Sequence, residues 1–175
     1  MVVGDKSRFA VESNLDDTTV DERGHAWRHG QARLWCAGEE VGHWERYTLL
    51  GDLALHSASV IERRALRRNA ELAALPAEAL AALIVEKLYT DRGQSDREVK
   101  DDWARLSPHL IGPPLEAFDG WHVVIAESER YARLVWFRST DPSRASWIDL
   151  APGELEAVMG EFIASYEALP KPLGG

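Results

Sequence analysis

The hydrophobic pattern changes period twice along this chain, and that order restricts the fold more than any other feature of the sequence. Apolar and polar residues alternate with the period of a half-buried strand from about Arg8 to Leu15 and from Ala26 to Ala37. A helical period fills the middle of the chain, alternation returns between Trp121 and Leu150, and another helical stretch follows. This order indicates an α+β fold, because the regular βαβ alternation of a parallel sheet is absent.

The strand-like runs are separated by short turns, which predicts antiparallel pairing. Gly38 offers the positive φ that a tight hairpin turn requires, and Glu40 to Arg46 returns as a short third strand. Trp121 to Glu127 and Tyr131 to Arg138 are β-branched and aromatic runs with three polar residues between them, which is typical of a hairpin. Ala145 to Leu150 adds another strand.

Four helices are predicted from apolar spacing and from their end signals. The first runs from Leu49 to about Asn69, and the second begins at Pro76. Ser95 and Glu98 form a capping box that opens the third helix, and Pro152 opens the fourth.

These elements fit a single domain that spans residues 1–175. The connector from Pro108 to Pro114 is the best candidate for an internal boundary, but the composition does not change across it. We therefore predict an α+β domain with a mainly antiparallel sheet of about five to six strands, packed on one side against three to four helices.

The chain carries a formal net charge of -9, and its acidic residues are concentrated in two segments. Between Glu12 and Glu22 there are five acids and no lysine or arginine, and the same holds from Ala145 to Pro170. Asp16 to His25 also lacks a periodic apolar face, so it is predicted to be an exposed acidic loop. Such charge repels nucleic acids and anionic membranes and favours encounters with basic partners, although a merely solvated surface has the same composition.

Residues with catalytic or metal-binding chemistry are each explained more simply by a structural role. His25 and His29 lie four residues apart, but on a strand they would be about 13 Å apart, which is too far for one ion. Cys36 has no predicted base, and there is no Gly-x-Ser-x-Gly elbow or phosphate-binding glycine loop. We therefore predict no catalytic residue, no metal site and no cofactor, and we predict that the chain is not an enzyme.

The sequence shows no pattern for export or membrane insertion. Cys36 is the only cysteine and cannot form an internal disulfide, and no N-terminal run has the basic start and apolar core of a signal peptide. The longest apolar stretch, Leu72 to Leu88, is interrupted by charges and falls short of the roughly 20 residues of a membrane span. We therefore expect a cytoplasmic protein.

Seven tryptophans are many for a chain of 175 residues. Trp103, Trp121, Trp136 and Trp147 fall within periodic elements and are predicted to be interior or half-buried. Trp44 lies near the end of the short third strand and is not assigned to a periodic apolar face. It is therefore a candidate interface residue, since aromatic side chains anchor many protein interfaces.

Three groups of residues resemble a known protein family. They are the start from Gly4 to Glu12 (GDKSRFAVE), the hairpin from Trp35 to Gly42, and Phe118 to Trp121 followed by Ala132 to Leu134. In this order, over about residues 3–168, they resemble the immunity protein 42 family of bacterial polymorphic toxin systems. The resemblance implies a cytoplasmic antidote that binds and neutralises the toxin domain made by the neighbouring gene.

Three features depart from the family pattern. His43 stands after Gly42 where the family tends to have an acidic residue, and both the Arg63 to Arg68 cluster and the Asp16 to His25 segment are particular to this chain. An antidote diverges with its toxin, so such departures are expected on the binding surface. For the same reason no functional residue carries over from the family.

The predicted partner-binding residues therefore come from charge and composition. A concentrated negative surface attracts a basic toxin and can occupy a cleft meant for phosphates. We predict contacts from seven side chains: Asp16, Asp17, Asp21, Glu22, Trp44, Glu154 and Glu161. The alternative is an uncharacterised small enzyme or ligand-binding protein with a Trp- and His-lined site at His29 or His122. The oligomeric state is left open.

Overall fold

Over residues 1–23, 25–45 and 47–170, which the computed structural model describes, the chain forms eight β-strands and five α-helices. The strands are β1 (Val2–Gly4), β2 (Phe9–Val20), β3 (Ala26–Cys36), β4 (Glu39–Val41), β5 (Thr48–Leu49), β6 (Trp121–Glu127), β7 (Ala132–Arg138) and β8 (Asp141–Leu150). The helices are α1 (Leu50–Glu62), α2 (Ala70–Ala74), α3 (Ala77–Leu88), α4 (Asp96–Leu106) and α5 (Glu154–Glu167).

The strands form two sheets, and all named strands pair antiparallel. One sheet has the order β1-β2-β3-β4, with β5 also paired to β3, and the other has the order β6-β7-β8. The predicted α+β class and the antiparallel pairing are confirmed. The strands are divided five and three between two sheets, where the sequence indicated one sheet.

The chain packs as two compact units. Unit 1 contains Met1–Ile61, Pro113–Asp119 and the described residues from Glu154 onward. Unit 2 contains Glu62–Gly112 and Gly120–Gly153. The single domain over residues 1–175 stays a prediction.

In unit 1, the alternation of β3 is the one that the sequence predicted. The even-numbered side chains from Arg28 to Cys36 face the core, and Arg28 is only 9% exposed. The odd-numbered residues from Trp27 to Trp35 form an outward row. Helix α5 packs against β1 and β2 and buries four apolar side chains: Leu155, Val158, Met159 and Phe162.

Arg28 ties β3 to the end of α5. Its guanidinium donates to the carbonyl oxygens of Tyr166 and Leu169, both at 3.0 Å, and of Pro170 at 3.2 Å. It also lies 4.9 Å from the centre of the Tyr166 ring. A cation at the negative end of a helix dipole satisfies carbonyls that have no partner within the helix.

The predicted loop from Asp16 to His25 is wrong for its first half, because β2 continues to Val20. A β-bulge between Leu15 and Asp17 shifts the register: Leu15 pairs with Gly30, and Asp17 pairs with His29. Gly30 permits the bulge, since a Cβ at this position would lie 1.8 Å from the backbone oxygen of Asn14. Strand β2 therefore extends beyond its buried residues, which lie in its first half.

Other element boundaries also differ from the sequence predictions. The third strand, predicted over Glu40 to Arg46, is observed over Glu39–Val41, and Arg46 lies outside the described residues. The first helix ends at Glu62, and a 3-10 helix over Arg64–Arg67 follows. The Asn69 side chain accepts a 3.0 Å hydrogen bond from the Leu72 amide and so caps α2. Asn69 therefore begins α2 and cannot also belong to the last turn of the first helix, as the sequence had predicted.

In unit 2, the helices cover one face of the three-stranded sheet. The Ser95 and Glu98 capping box is confirmed at the start of α4. The core of this face contains Leu72, Ala73, Ala77, Leu80, Ala81, Ile84, Leu106, Val124, Ala126, Val135, Phe137 and Ala145. Trp136 is buried as predicted, and Trp121 is half-buried. Trp103 and Trp147 were predicted to be interior or half-buried, but they are 52% and 51% exposed.

Gly30→Ala is expected to lower the free energy of unfolding by about 1–3 kcal/mol, because the added methyl group overpacks the bulge. Urea denaturation measures the change. Gly160→Ala in α5 is the control, since its added Cβ meets nothing within 4 Å. That variant should be more stable by about 0.5–1 kcal/mol. Equal stability of Gly30→Ala and the wild type would contradict the bulge geometry.

Candidate functional site

Two of the predicted acids lie side by side on the outward face of β2. Asp16, the residue at the bulge, accepts hydrogen bonds from Asn14 and from Gln31, whose side chains belong to that face. Asp17 pairs across the sheet with His29 of the outward row. Both acids are exposed. The bulge therefore places two consecutive carboxylates on one face, which a regular strand cannot do because its side chains alternate.

Asp21 and Glu22 lie in the turn after β2 and have different roles. The Asp21 carboxylate accepts bonds from the Arg23 amide (2.9 Å), the His25 amide (2.9 Å) and the His25 ring (3.1 Å). The backbone hydrogen bond from His25, with the other donors, lowers the pKa of Asp21 below its usual value. Asp21 therefore holds the turn, whereas Glu22 is exposed beside it.

Trp44 is half-buried in a stack of rings and cations beside the outward row. The Arg33 guanidinium lies 4.5 Å from the Trp44 ring and 4.8 Å from the Trp35 ring. The Lys6 ammonium lies 4.2 Å from the Trp35 ring. Since each cation lies over a ring face, the stack orders these side chains before any partner binds.

Glu12 is the acceptor at the centre of this stack. Its carboxylate receives bonds from Arg33 (2.8 Å), the Trp35 indole (2.6 Å) and Lys6 (3.0 Å). Burial raises the pKa of Glu12, but these hydrogen bonds outweigh burial and lower the pKa to about 2. The charge of Glu12 is therefore used within the fold.

Four large apolar side chains lie exposed at the same end of unit 1, and the sequence interpretation missed them as site residues. Leu15 is 37% exposed, Val20 49%, Trp27 45% and Tyr47 56%. A hydrogen bond to Asp16 raises the pKa of Tyr47 and joins this tyrosine to the acids. The available signal was Trp27, which belongs to the polar side of an alternating strand. A large indole on that side is typical of an interface.

The two predicted contacts on α5 do not join the acids of β2. Glu154 is bound in a bidentate ion pair by Arg8, with N–O distances of 2.6 and 2.7 Å. Glu161 is exposed on the side of α5 opposite its buried stripe, which packs on the inner face of the sheet. The seven predicted residues therefore occupy separate surfaces, and their role as contacts stays a prediction.

Two histidines were named as alternatives for a Trp- and His-lined site, and His29 lies in the outward row of β3 with its ring 3.3 Å from the Thr19 hydroxyl. The His122 ring packs between Tyr89 and Phe137, with centroid distances of 4.7 and 5.1 Å. A cleft of about 440 Å³ in unit 2 is instead lined by charged and small residues: Arg64, Arg68, Ala70, Glu127, Ser128, Glu129 and Pro152. Arg64 and Glu127 form an ion pair in its wall.

Among the described residues, no group of three or more His, Cys, Asp and Glu side chains could hold a metal ion. Burial raises the pKa of the Cys36 thiol, which disfavours the nucleophilic thiolate. No helix in the described part of the chain is long and apolar enough to span a membrane.

Glu12→Gln is expected to destabilise the protein by about 1.5–3 kcal/mol at pH 7, the range for hydrogen bonds to charged groups. The folded-state pKa is lowered, so this stabilisation is present above the reference pKa of 4.5 and is lost as the pH falls towards about 2. The stability difference between variant and wild type should shrink over that range in urea titrations. Glu40→Gln, which removes a more exposed partner of Arg33, should cost less than about 1 kcal/mol. A pH-independent difference for Glu12→Gln would contradict the role of its charge.

Comparison with known structures supports the fold. The chain is similar to CdiI from Burkholderia dolosa AUO158, with a TM-score of 0.72 and 17% sequence identity. The similarity covers 94% of this chain and 99% of the CdiI chain. At this identity the likeness shows a shared fold. No curated protein matches the chain by sequence.

Comparison with protein families gives a match over nearly the whole chain. The model for immunity protein 42 matches residues 1–165, which include both sheets and most of α5. This is the family that the residue groups at Gly4–Glu12, Trp35–Gly42 and Phe118–Trp121 resemble. The chain therefore belongs to the immunity protein 42 family.

Proposed function

We propose that this protein binds a cognate toxin domain in the cytoplasm and neutralises it through the acidic outward end of the β2–β3 hairpin. Membership of an immunity protein family supports toxin neutralisation as the role. The observation that carries the choice of surface is a set of hairpin acids that, among the described residues, form no ion pair with lysine or arginine. Inhibition by binding requires no reaction, so the proposal includes no catalytic residue and no cofactor.

Some acids of unit 1 form ion pairs with arginine and others do not, and this difference supports the choice of the hairpin end as the binding surface. Glu12 and Glu154 are both bound by arginine within the fold. Among the described residues, Asp16, Asp17, Asp21 and Glu22 form no ion pair with lysine or arginine, and the one ion-pair partner in this group is His25 with Asp21. The negative potential of the hairpin end is therefore available to a basic partner.

The seven predicted residues take distinct roles in this proposal. Asp16, Asp17 and Glu22 are direct contacts, and Asp21 positions the turn that carries Glu22. Trp44 is a pre-ordered ring at the other end of the outward row. Glu161 is a contact on a second surface, and Glu154 is the least available because Arg8 occupies its carboxylate.

The role itself is tested by coexpression with the product of the neighbouring gene. If the proposal is correct, this protein restores growth to cells that express the toxin domain and copurifies with it as a complex. Lack of both rescue and copurification with a folded, expressed toxin domain would overturn the proposal. A metabolite or metal ion that copurifies in stoichiometric amount would favour the ligand-binding alternative.

Neutralising the direct contacts should slow association with the toxin. The variant Asp16→Asn, Asp17→Asn, Glu22→Gln is expected to lower the association rate constant about tenfold at low salt and to reduce its salt dependence, because steering is electrostatic. Stopped-flow or biolayer measurements at several salt concentrations give the rates.

The matched control removes three negative charges from unit 2: Glu71→Gln, Glu78→Gln and Asp101→Asn. Its net charge equals that of the hairpin variant, so it separates local from overall charge. Equal slowing in both variants would remove the hairpin from the proposal. The single variant Glu161→Gln tests α5 in the same assay.

A further inference from the structure

Four of the seven tryptophan rings form a cation–π contact with a lysine or arginine of the same chain. Lys6 and Arg33 lie over Trp35, and Arg33 also lies over Trp44. In unit 2, Arg133 lies 4.6 Å from the Trp147 ring, and Arg138 lies 3.8 Å from the Trp121 ring. Trp136 is buried at 2% exposure. In the described ranges, Trp27 and Trp103 are the two exposed indoles over which no cation is placed.

The surroundings of these two rings differ in charge. Trp103 lies on α4, where Lys100 and Arg105 are on the same helix within one turn. Trp27 lies at the end of β3 that pairs with the acidic part of β2. Lys100 lies three residues before Trp103 and so on the same side of the helix. The neighbours of Trp27 on its own face of the sheet, in contrast, are polar or acidic: Thr19, His29 and Asp17.

The sheet register places Trp27 next to a carboxylate on the same face. Trp27 pairs with Thr19, and the adjacent outward pair is His29 with Asp17. The Thr19 hydroxyl and the His29 ring lie 3.3 Å apart, which fixes the spacing of these two pairs. Diagonal neighbours on one face of an antiparallel pair are close enough for long or aromatic side chains to share a contact.

We propose that Trp27 seats a lysine or arginine side chain of the toxin, with the cation over the indole face and Asp17 as its counter-ion. This inference rests on the proposed function and names the chemistry of the partner at that surface. An exposed ring beside a carboxylate that has no lysine or arginine partner among the described residues has the two attractions that hold Lys6 and Arg33 in place around Trp35 and Glu12. At Trp27 the described part of the chain provides the ring and the acid but places no cation over the ring.

The proposal assigns different kinetic roles to neighbouring residues. Steering depends on the summed charge of the acids, so those side chains set the association rate. A ring contact forms only after docking and is strengthened by the exclusion of water, so Trp27 acts on the dissociation rate. Loss of Trp27 should therefore shorten the lifetime of the complex and leave its rate of formation nearly unchanged.

The first test compares Trp27→Leu with Trp103→Leu, using the toxin domain of the neighbouring gene as the probe. Both substitutions remove an indole that is about half exposed and keep an apolar side chain. Trp27→Leu is expected to raise the dissociation rate constant about tenfold, within the range of a desolvated cation–π contact. Trp103→Leu should leave both rate constants unchanged. Equal behaviour of the two variants would overturn the inference.

The second test separates a cation from an ordinary apolar contact. Site-specific incorporation of tryptophans with one, two or three ring fluorines at position 27 removes charge from the ring face and changes its size little. Affinity should fall stepwise with each fluorine. If Trp27→Leu weakens binding but fluorination does not, the contact is apolar and the cation seat is wrong.

Two further outcomes are read from the same samples. If Trp27 instead contacts a second copy of this chain, Trp27→Leu changes the sedimentation of the protein alone and leaves toxin affinity unchanged, which overturns the inference. If the wild-type protein neither binds nor neutralises the toxin domain, the proposed function fails, and this inference fails with it. A defect specific to position 27 leaves the wild-type result intact, so the two failures are distinguishable.

Discussion

The candidate surface depends on one extra residue in β2. Side chains on a strand alternate between faces, so in a regular strand Asp16 and Asp17 would point in opposite directions. The bulge between Leu15 and Asp17 changes the register, and both carboxylates then face outward with Trp27 and His29. Gly30 makes this possible because only a residue without a Cβ fits against the Asn14 carbonyl. A backbone irregularity thus determines which side chains the proposed binding surface presents.

The hairpin also separates residues that hold the fold from residues that are available to a partner. Near the core, Glu12 is bound by three donors, and Arg28 is bound to the end of α5. Beyond the core, Asp17 and Glu22 are exposed, and like charges gathered there repel one another. A cluster of acids that adds nothing to packing is a small cost to stability, and such costs are common where a surface serves binding.

Much of the fold could be predicted from the sequence because its elements obey their own periodicity. The outward row of β3, the buried stripe of α5 and the capping box at Ser95 all follow from local pattern. The second half of β2 could not be predicted, because it extends past the core and has polar or exposed residues on both faces. An isolated glycine within a strand pattern, Gly30, was the available signal for a bulge.

The candidate site was predictable in composition but not in arrangement. The acids were recognised as a group, yet charge alone does not reveal that Asp21 is a turn cap or that Glu154 is bound by Arg8. Trp103 has helical spacing to Leu106, but of the two only Leu106 is buried. The spacing of apolar residues predicts which side of a helix faces the core, but not how much of that side the core covers. From the sequence, Trp27 was only one residue of an alternating strand pattern. Its candidacy as a site residue depends on the residues that the sheet register places beside it, Thr19 and Asp17.

This division would allow the proposed binding surface to change with its partner while the fold persists. Glu22 and Trp27 lie exposed on the surface and hold neither the bulge, the turn nor the stack, so substitutions there leave this frame in place. Gly30, Asp21 and Glu12 fix the bulge, the turn and the stack, and substitutions at these positions disturb the frame that presents the surface. On the proposed function, specificity for one toxin over another would be tuned by exchanging outward side chains, either by adding attraction or by placing a like charge against the wrong partner.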